Sequence, residues 1–295
     1  MEPALAAASP KCTAAEGYAR CRELARSHYE NFTIGSWLLP RDRLDHLFAV
    51  YAFCRSVDDL GDEFGGDRLA ALDLWEKDLL RCYGDAPRHP YLVALQHTIE
   101  AFDIPKDPFM RLIEANRMDQ RTRRYPTFQD LEHYCRHSAN PVGHMVLYVF
   151  GFRDEERRRL SDYTCTALQL ANFWQDVARD YAMGRIYIPL EDMDRFGYSE
   201  DELGRGLATE SFRRMMAFEV ARARELFHRG LGLVDTLDGR LKLDVALFTR
   251  GGLKGLDAIE KQEDDVLSRR PALSKAAKLR LMLLTPLRLK LLGRP

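Results

Sequence analysis

The sequence predicts an all-α protein, and three observations lead to that class. Apolar residues recur at the 3.6-residue period of an amphipathic helix along almost the whole chain. No segment alternates apolar and polar residues convincingly over the length of a strand. Proline or glycine stands between the periodic segments, for example at Pro40, Pro105, Pro189 and Pro271. We therefore expect one helical domain over residues 1–295, without a linker or an internal repeat.

The periodic segments divide the chain into eleven predicted helices. In the first half these helices cover 13–30, 41–62, 67–83, 88–102, 107–121 and 127–137. In the second half they cover 142–151, 155–183, 209–237, 240–268 and 274–291. Asp107-Pro108 offers a cap followed by a first-turn proline, and Thr127 with Asp130 resembles a capping box. We expect residues 1–12 to be flexible.

Composition narrows the class of protein. The chain has 295 residues, of which 46% are apolar and 30% charged, as in a folded globular protein rather than a disordered one. The 44 Lys and Arg residues balance the 45 Asp and Glu residues, so charge gives no reason to expect nucleic-acid binding. No apolar run reaches the roughly 18–20 residues of a membrane span. The N-terminus lacks a secretory pattern and the six cysteines form no C-x-x-C, which predicts a cytoplasmic chain with reduced thiols.

Charge is distributed unevenly along the chain. Eight cations and no acidic residue follow Asp265, and the same tail is rich in leucine. A basic, leucine-rich end can lie on an anionic bilayer as a peripheral contact. The more ordinary interpretation is a last helix, within residues 271–295, that packs its leucines on the core and exposes its lysines to water. Both interpretations remain open from the sequence.

A first acidic face lies near the end of the predicted helix 41–62. At 100° per residue, Tyr51, Arg55, Asp58 and Asp62 fall on one stripe. Two carboxylates one turn apart destabilise an isolated helix, so their presence calls for a cation. Arg55 has two roles open to it, contact with a phosphate group or an ion pair with Asp58. Asp59 points about 100° away from this stripe and is expected to support the side chains that lie on it.

A second acidic face repeats this design on the predicted helix 155–183, with Gln169, Asn172, Asp176 and Asp180 on one stripe. Either face alone would fit an ordinary solvated surface, but the two together favour a ligand site. Carboxylate and amide oxygens suit Mg²⁺, which shares its coordination shell with phosphate oxygens. We expect several Mg²⁺ ions and a diphosphate between the two helices. The expected metal ligands are Asp58, Asp62, Asn172, Asp176 and Asp180.

These residues resemble the squalene/phytoene synthase family of isoprenoid enzymes. The D-D-x-x-D of Asp58–Asp62 and the N-x-x-x-D-x-x-x-D of Asn172–Asp180 correspond to the two aspartate-rich motifs of that family. The likeness covers about residues 18–265 and includes Tyr51–Arg55 and Gly184–Pro189. Within the family it is greatest to the hydroxysqualene synthase branch of bacterial hopanoid pathways. The marks of that branch are Ser36–Pro40, Ser138–Gly143, Asn172–Asp176 and Pro189–Asp192.

The resemblance implies a fold and a reaction. The fold is an isoprenoid-synthase α-bundle with a central cavity. The reaction is ionisation of presqualene diphosphate, rearrangement of the cation and capture by water, which gives hydroxysqualene with Mg²⁺ and without a nicotinamide. In line with this, no strand followed by G-x-G-x-x-G is visible. Two alternatives remain: head-to-head condensation of prenyl diphosphates to presqualene diphosphate, squalene or phytoene, and a non-catalytic helical protein that holds a lipid.

Single residues are assigned roles, by the resemblance for His28, Asp119, Arg185 and Tyr187, and by their own chemistry for the others. Those expected to contact the diphosphate are His28, Arg55, Gln169, Arg185 and Tyr187. Those expected to take part in the chemistry are Tyr51, Arg55, Asp119, Tyr134 and Asn140. The tyrosine rings would stabilise a cation, Asp119 would help a water or a metal ion, and Asn140 would orient the water that ends the reaction. Core packing or helix capping is the ordinary alternative for each of them.

Two departures from the family pattern stand beside these residues. Many relatives carry Arg immediately before the first Asp of the second motif, where this chain has Gln175. They also tend to carry a small residue and no proline at the position of Asn140-Pro141. A changed diphosphate contact and a changed kink are both consistent with a different final step.

Overall fold

The computed structural model of the chain describes residues 12–27 and 41–292. Within these ranges the backbone is helical apart from turns, loops and one isolated bridge between Arg124 and Ile186. The all-α class that was predicted from periodicity is therefore confirmed. The expected flexible start at residues 1–11 and the candidate residue His28 lie outside the described residues.

Fourteen helices lie in the described residues and are numbered in chain order. The first seven are α1 (Ala14–Ser27), α2 (Arg41–Asp62), α3 (Arg68–Arg81), α4 (Pro90–Phe102), α5 (Asp107–Arg121), α6 (Phe128–Ser138) and α7 (Asn140–Val149). The others are α8 (Glu155–Ala182), α9 (Leu190–Phe196), α10 (Glu200–Gly204), α11 (Glu210–Gly230), α12 (Gly232–Asp235), α13 (Gly239–Glu260) and α14 (Lys275–Leu292).

In the first half the predicted helices agree with these bounds to within two residues, apart from residues 28–30 of the predicted helix 13–30, which lie outside the described residues. Helices α9 and α10 have seven and five residues and were not predicted, because so short a segment shows no clear period. The predicted helix 240–268 ends early, at Glu260, because Glu263 and Asp264 take left-handed backbone angles with φ of 55° and 59°. The predicted capping box of Thr127 and Asp130 is present at the start of α6.

Backbone packing groups the chain into two compact units, which are described separately; the prediction of a single domain stays a prediction. The first unit comprises residues 1–121 and 140–158. In it α2 packs against α1, α3, α4, α5 and α7. Its core contains the fully buried Phe53, Trp75 and Phe109, and the rings of Phe53 and Phe109 meet edge to face at 5.1 Å. Helix α2 therefore forms the centre of this unit and carries the first acidic face.

The second unit comprises residues 122–139 and 159–295. The side chains of Trp174, Phe212 and Phe227 are fully buried in it. Helix α13 packs against α11, α12 and α14, while α9 packs against α11. Most of α8 belongs to this unit and carries the second acidic face. In the part of the chain that the structure describes, no helix combines the length and apolarity that a membrane crossing requires.

Candidate functional site

The first acidic face stands at the last two turns of α2. The Asp58 side chain is reached by solvent but is densely surrounded by protein atoms, and this desolvation raises its pKa to about 7. The negative charge of Asp62 acts in the same direction. A long hydrogen bond from Nδ2 of Asn116 to Oδ1 of Asp58, at 3.4 Å, favours the charged form. The charged form of Asp58 is thus disfavoured overall, although the hydrogen bond from Asn116 and the positive charge of Arg55 both favour it.

Helix α5 supports this face through two amide side chains that the sequence analysis missed. Asn116 is buried and also donates to the carbonyl of Leu112 at 3.2 Å. Gln120 donates to the carbonyl of Gly61 at 3.0 Å. Gly61 has to lack a side chain, because a Cβ there would lie 2.1 Å from Oδ1 of Asn116. Asn116 and Gln120 share one stripe of α5 with Asp119, and that spacing is the signal that could have found them.

Arg55 points to the same end of α2. Its Nη2 atom lies 2.6 Å from Oδ1 of Asp59 and 2.9 Å from Oε1 of Glu63. Asp58, the ion-pair partner considered from the sequence, is not the carboxylate that it binds. Asp59 binds this guanidinium and orients it at the acidic end of the helix; its expected supporting role at a metal site stays a prediction.

The three other candidate site residues of the first unit differ in how deeply their side chains are buried. Tyr51 is half-buried on the stripe of Arg55, packs against the core between α1 and α4, and has a pKa that burial raises. Asp119 is half-buried near the end of α5. Asn140 is only 3% exposed at the first residue of α7. All three belong to the unit that carries the first acidic face.

The second acidic face has a cation of its own. Arg270, in the segment after α13, forms a two-pronged ion pair with Asp176, with Nε–Oδ1 and Nη2–Oδ2 distances of 2.5 and 2.9 Å. Beside it, Nε2 of Gln175 donates to the carbonyl of Pro271 at 3.2 Å. The residue that departs from the family pattern therefore anchors the segment that brings in Arg270. In the sequence Arg270 is only one cation of the basic tail, because it lies 94 positions after Asp176.

Asp180 lies one turn beyond Asp176 on α8. Burial raises its pKa to about 7, and the charge of Asp176 adds to the effect. The positive charges of Arg185, Arg179 and Arg270 act in the opposite direction. On the same stripe Asn172 is exposed and Gln169 is half-buried, so both amides lie at or near the surface of the unit.

The loop after α8 is fixed to the segment before α6. Gly184 turns the chain with φ of +79°, and Nη1 of Arg124 donates to its carbonyl at 2.7 Å. Further along, the backbone N–H of Ile186 donates to Arg123 and that of Leu190 to Tyr125, both at 2.9 Å. Arg185 is held within this loop, and its backbone N–H donates to the carbonyl of Asp180 at 2.9 Å.

Two candidate tyrosines meet in one aromatic cluster, formed by Tyr125, Tyr134, Phe173 and Tyr187. Tyr187 stacks on Phe173 with ring centroids 3.7 Å apart and planes 7° from parallel. Tyr134 lies 5.9 Å from Tyr187 and 5.6 Å from Tyr125. All four rings are buried. Phe173 follows Asn172 directly, so the cluster packs against the helix that carries the second acidic face; this aromatic neighbour of the motif was a signal that the sequence analysis did not use.

The donor set fits Mg²⁺ bound together with phosphate. On each face a carboxylate with a pKa near 7 stands one turn from a second carboxylate. A divalent cation would offset both the desolvation of the charged carboxylate and the repulsion between the two negative charges. Among residues 12–27 and 41–292 no three His, Cys, Asp or Glu side chains are grouped so as to coordinate a metal ion by themselves. Magnesium is commonly held by one or two carboxylates plus substrate phosphates, and each face offers such a partial set.

Known proteins resemble this chain over most of its length. The family model described as squalene/phytoene synthase matches residues 25–277. The 15-cis-phytoene synthase of Synechocystis is 34% identical over 284 residues, which cover 89% of this chain and 82% of that protein. The 15-cis-phytoene synthase of Synechococcus elongatus is 32% identical, with 86% of this chain and 87% of that protein covered.

Solved structures show the same fold. Squalene synthase HpnC from Alicyclobacillus acidocaldarius is 50% identical, with a TM-score of 0.82 over 85% of this chain and 95% of that one. A dehydrosqualene synthase in complex with a ligand is 27% identical, with a TM-score of 0.85 over 94% of this chain and 98% of that one. The helical fold that the resemblance implied is thereby confirmed.

Proposed function

This chain is an enzyme of the squalene/phytoene synthase family, and on that premise we propose that it converts presqualene diphosphate and water into hydroxysqualene. The proposal rests first on the two acidic faces, where Asp58 and Asp180 are desolvated carboxylates that suit a metal-bound diphosphate. It rests second on the marks of the hydroxysqualene branch. The 50% identity to squalene synthase HpnC exceeds the 34% identity to 15-cis-phytoene synthase, which favours a substrate of the squalene side of the family over one of the phytoene side.

The reaction begins with cleavage of the carbon–oxygen bond to the diphosphate, which leaves with the bonding electron pair. Mg²⁺, when bound, stabilises the negative charge of the departing diphosphate. On this proposal Asp58 and Asp62 of the first face, and Asn172, Asp176 and Asp180 of the second, are each ligands for Mg²⁺ that is bound with the diphosphate. The groups assigned to contact the diphosphate itself are His28, Arg55, Gln169, Arg185 and Tyr187. Arg270 places a further guanidinium within the second face.

The carbocation then rearranges and is captured by water. A lone pair of the water oxygen forms the new carbon–oxygen bond, and loss of one proton gives the alcohol, so no hydride donor is needed. We assign the ring faces of Tyr51 and Tyr134 to stabilise the cation. We assign Asn140, buried at the start of α7, to orient the water, with Asp119 as its acidic partner or as a further metal contact.

Head-to-head prenyl transfer is the second candidate, because a specific observation favours it. The chain is 34% identical to 15-cis-phytoene synthase from Synechocystis and 27% identical to the dehydrosqualene synthase. In that case the protein would join two prenyl diphosphates instead of ionising an intermediate made elsewhere. The acidic faces would serve both reactions, so the site geometry does not separate them.

Product identification separates the two candidates. Full-length protein with Mg²⁺ is incubated with presqualene, farnesyl or geranylgeranyl diphosphate, each with and without NADPH, in water enriched in oxygen-18. Of the three substrates, we expect only presqualene diphosphate to give hydroxysqualene. This product should carry one oxygen-18 atom from the water, with or without NADPH. Presqualene diphosphate from farnesyl diphosphate, or phytoene from geranylgeranyl diphosphate, would overturn the proposal in favour of the second candidate.

A further inference from the structure

Helix α14 differs in composition from the rest of the second unit. Its 18 residues include five cations and no acidic residue, and leucine is its commonest side chain. The cations are Lys275, Lys278, Arg280, Arg288 and Lys290. The sequence alone left open whether this helix packs on the core or lies on a bilayer.

One side of α14 packs on the protein. Leu281 is 7% exposed and Thr285 is fully buried, and they lie one turn apart on the same side of the helix. Leu281 faces α13, where its Cδ2 atom lies 3.8 Å from the position that a Cβ on Gly251 would take. The core-packing interpretation therefore accounts for this side and uses only part of the apolar residues of the helix.

The opposite side carries large apolar side chains in contact with solvent. Leu279, Met282, Leu283 and Leu287 are 57%, 38%, 66% and 51% exposed. At 100° per residue they form one stripe that is centred about 180° from Leu281. We call these four residues the α14 apolar surface. An exposed apolar stripe of this size on a helix marks a contact site, and within the described residues α13 packs only on the opposite side.

Cations surround this surface. Lys278 and Arg280 flank Leu279 at about 100° to either side, while Lys275 and Lys290 lie near the stripe at the two ends of the helix. No acidic residue interrupts the arrangement, since none follows Asp265 in the chain. An apolar stripe with a cationic border matches the acyl boundary and the anionic headgroups of a membrane, and does not favour a second copy of the same cationic surface.

We propose that α14 lies in the plane of an anionic lipid bilayer, with the α14 apolar surface inserted at the headgroup and acyl boundary. The helix is about 27 Å long, enough for the four apolar side chains to contact the bilayer together. The border cations bind the anionic headgroups. The contact is independent of which isoprenoid reaction the chain catalyses.

Vesicle flotation of the full-length protein tests the proposal. The vesicles contain either phosphatidylcholine alone or two parts of phosphatidylcholine to one part of phosphatidylglycerol. We expect binding to the mixed vesicles, with a several-fold decrease between about 0.1 M and about 1 M salt, because salt shortens the range of headgroup attraction. Lys278→Gln with Arg280→Gln should weaken binding by about fivefold for each cation removed.

The decisive variant is the triple change Leu279→Ser, Leu283→Ser and Leu287→Ser. We expect at least about tenfold weaker binding, with turnover in detergent unchanged. The matched control is Leu74→Ser with Leu80→Ser, which removes two exposed leucines of α3 and should bind as the parent does. Binding by the triple variant equal to that of the parent would overturn the proposal. A parent that binds no vesicle, but sediments as a dimer that the triple variant abolishes, would also overturn it and assign the surface to a second copy.

Discussion

The two acidic faces follow the same sequence design and have different electrostatic surroundings. On α2 the neutral amide of Asn116 donates a hydrogen bond to Asp58, whereas the guanidinium of Arg55 forms its ion pair with Asp59. On α8 Asp176 is bound by the guanidinium of Arg270. A spacing of carboxylates therefore determines which side chains share a face. It does not determine whether the fold neutralises them, because the neutralising group can come from any distance along the chain.

This difference has a direct consequence for metal binding. At the first face, Asp58 accepts a hydrogen bond from the neutral amide of Asn116 and, within the part of the chain that the structure describes, forms no ion pair with a guanidinium. The second face contains an internal counter-ion that competes with a metal ion for Asp176. Four predictions test how each face responds to Mg²⁺, to pH and to substitution.

The largest expected effect is the loss of turnover when either face loses a carboxylate. Asp58→Asn and Asp176→Asn should each reduce the rate on the preferred diphosphate by on the order of 10³, because metal-assisted departure of the diphosphate is weakened. Chelation of Mg²⁺ should abolish turnover and added Mg²⁺ should restore it. The rates are measured by product mass spectrometry or by diphosphate release.

Asp201→Asn is the matched control for that experiment. This aspartate is 80% exposed in an ion pair with Arg205 on the short helix α10, and its loss should leave the rate unchanged. Turnover in the presence of EDTA, or full activity of both face variants, would contradict the assignment of the metal ligands.

The second prediction concerns pH. Asp58 and Asp180 have pKa values of about 7 in the folded chain against an ordinary value of 3.8. The folded protein therefore keeps protons that the unfolded chain releases, and metal-free stability should fall as pH rises from about 4 to about 7. After allowance for solvent contact, each group contributes on the order of 1–2 kcal/mol. Unfolding by urea across this range measures the effect.

Asp244 is the internal comparison for the pH experiment. It is buried on α13, a helix that carries neither face, and burial raises its pKa to about 7 as well. Asp58→Asn and Asp180→Asn should raise metal-free stability at pH 8 and diminish the stabilisation that Mg²⁺ brings. Asp244→Asn should raise stability but leave the response to Mg²⁺ unchanged. An identical Mg²⁺ response in all three variants would mean that the faces do not bind the metal.

The third prediction compares two helical glycines. In Gly61→Ala the new methyl group would lie 2.1 Å from Oδ1 of Asn116, so the amide that binds Asp58 has to move. In Gly255→Ala the nearest atom is Nε2 of Gln175, at 3.3 Å. We expect the first change to lower the free energy of unfolding by about 1–3 kcal/mol and the second to alter it by less than about 0.5 kcal/mol. Equal effects in thermal unfolding would contradict this packing.

The smallest effect is expected for the counter-ion itself. Arg270→Gln frees Asp176 and should strengthen Mg²⁺ binding without substrate by at most about fivefold, since a half-exposed ion pair contributes up to about 1 kcal/mol. The shift of the unfolding temperature during Mg²⁺ titration measures it. Arg270→Lys, which keeps the charge, should behave much more like the parent. Weaker Mg²⁺ binding by Arg270→Gln would show that Arg270 supports the metal instead of competing with it.

The sequence predicted the helical class and most helix bounds because periodicity and capping are local properties. It also placed Tyr51, Arg55, Asp58 and Asp62 on one stripe, which follows from helical geometry alone. It did not predict the role of Arg270 or of Asn116, because each contact depends on how separate helices pack. The aromatic cluster was missed for the same reason: Tyr134 and Tyr187 were assigned separate tasks, although their rings share buried neighbours.

The segment between α13 and α14 connects the second acidic face to the helix that we propose binds the membrane. Arg270 binds Asp176, Gln175 holds the backbone of Pro271, and α14 begins only a few residues later, at Lys275. Any shift of α14 that accompanies lipid binding would reach Arg270, the residue bound to Asp176, through this short connection. We expect lipid adsorption and metal affinity to be thermodynamically coupled, so that each changes the equilibrium of the other by the same factor.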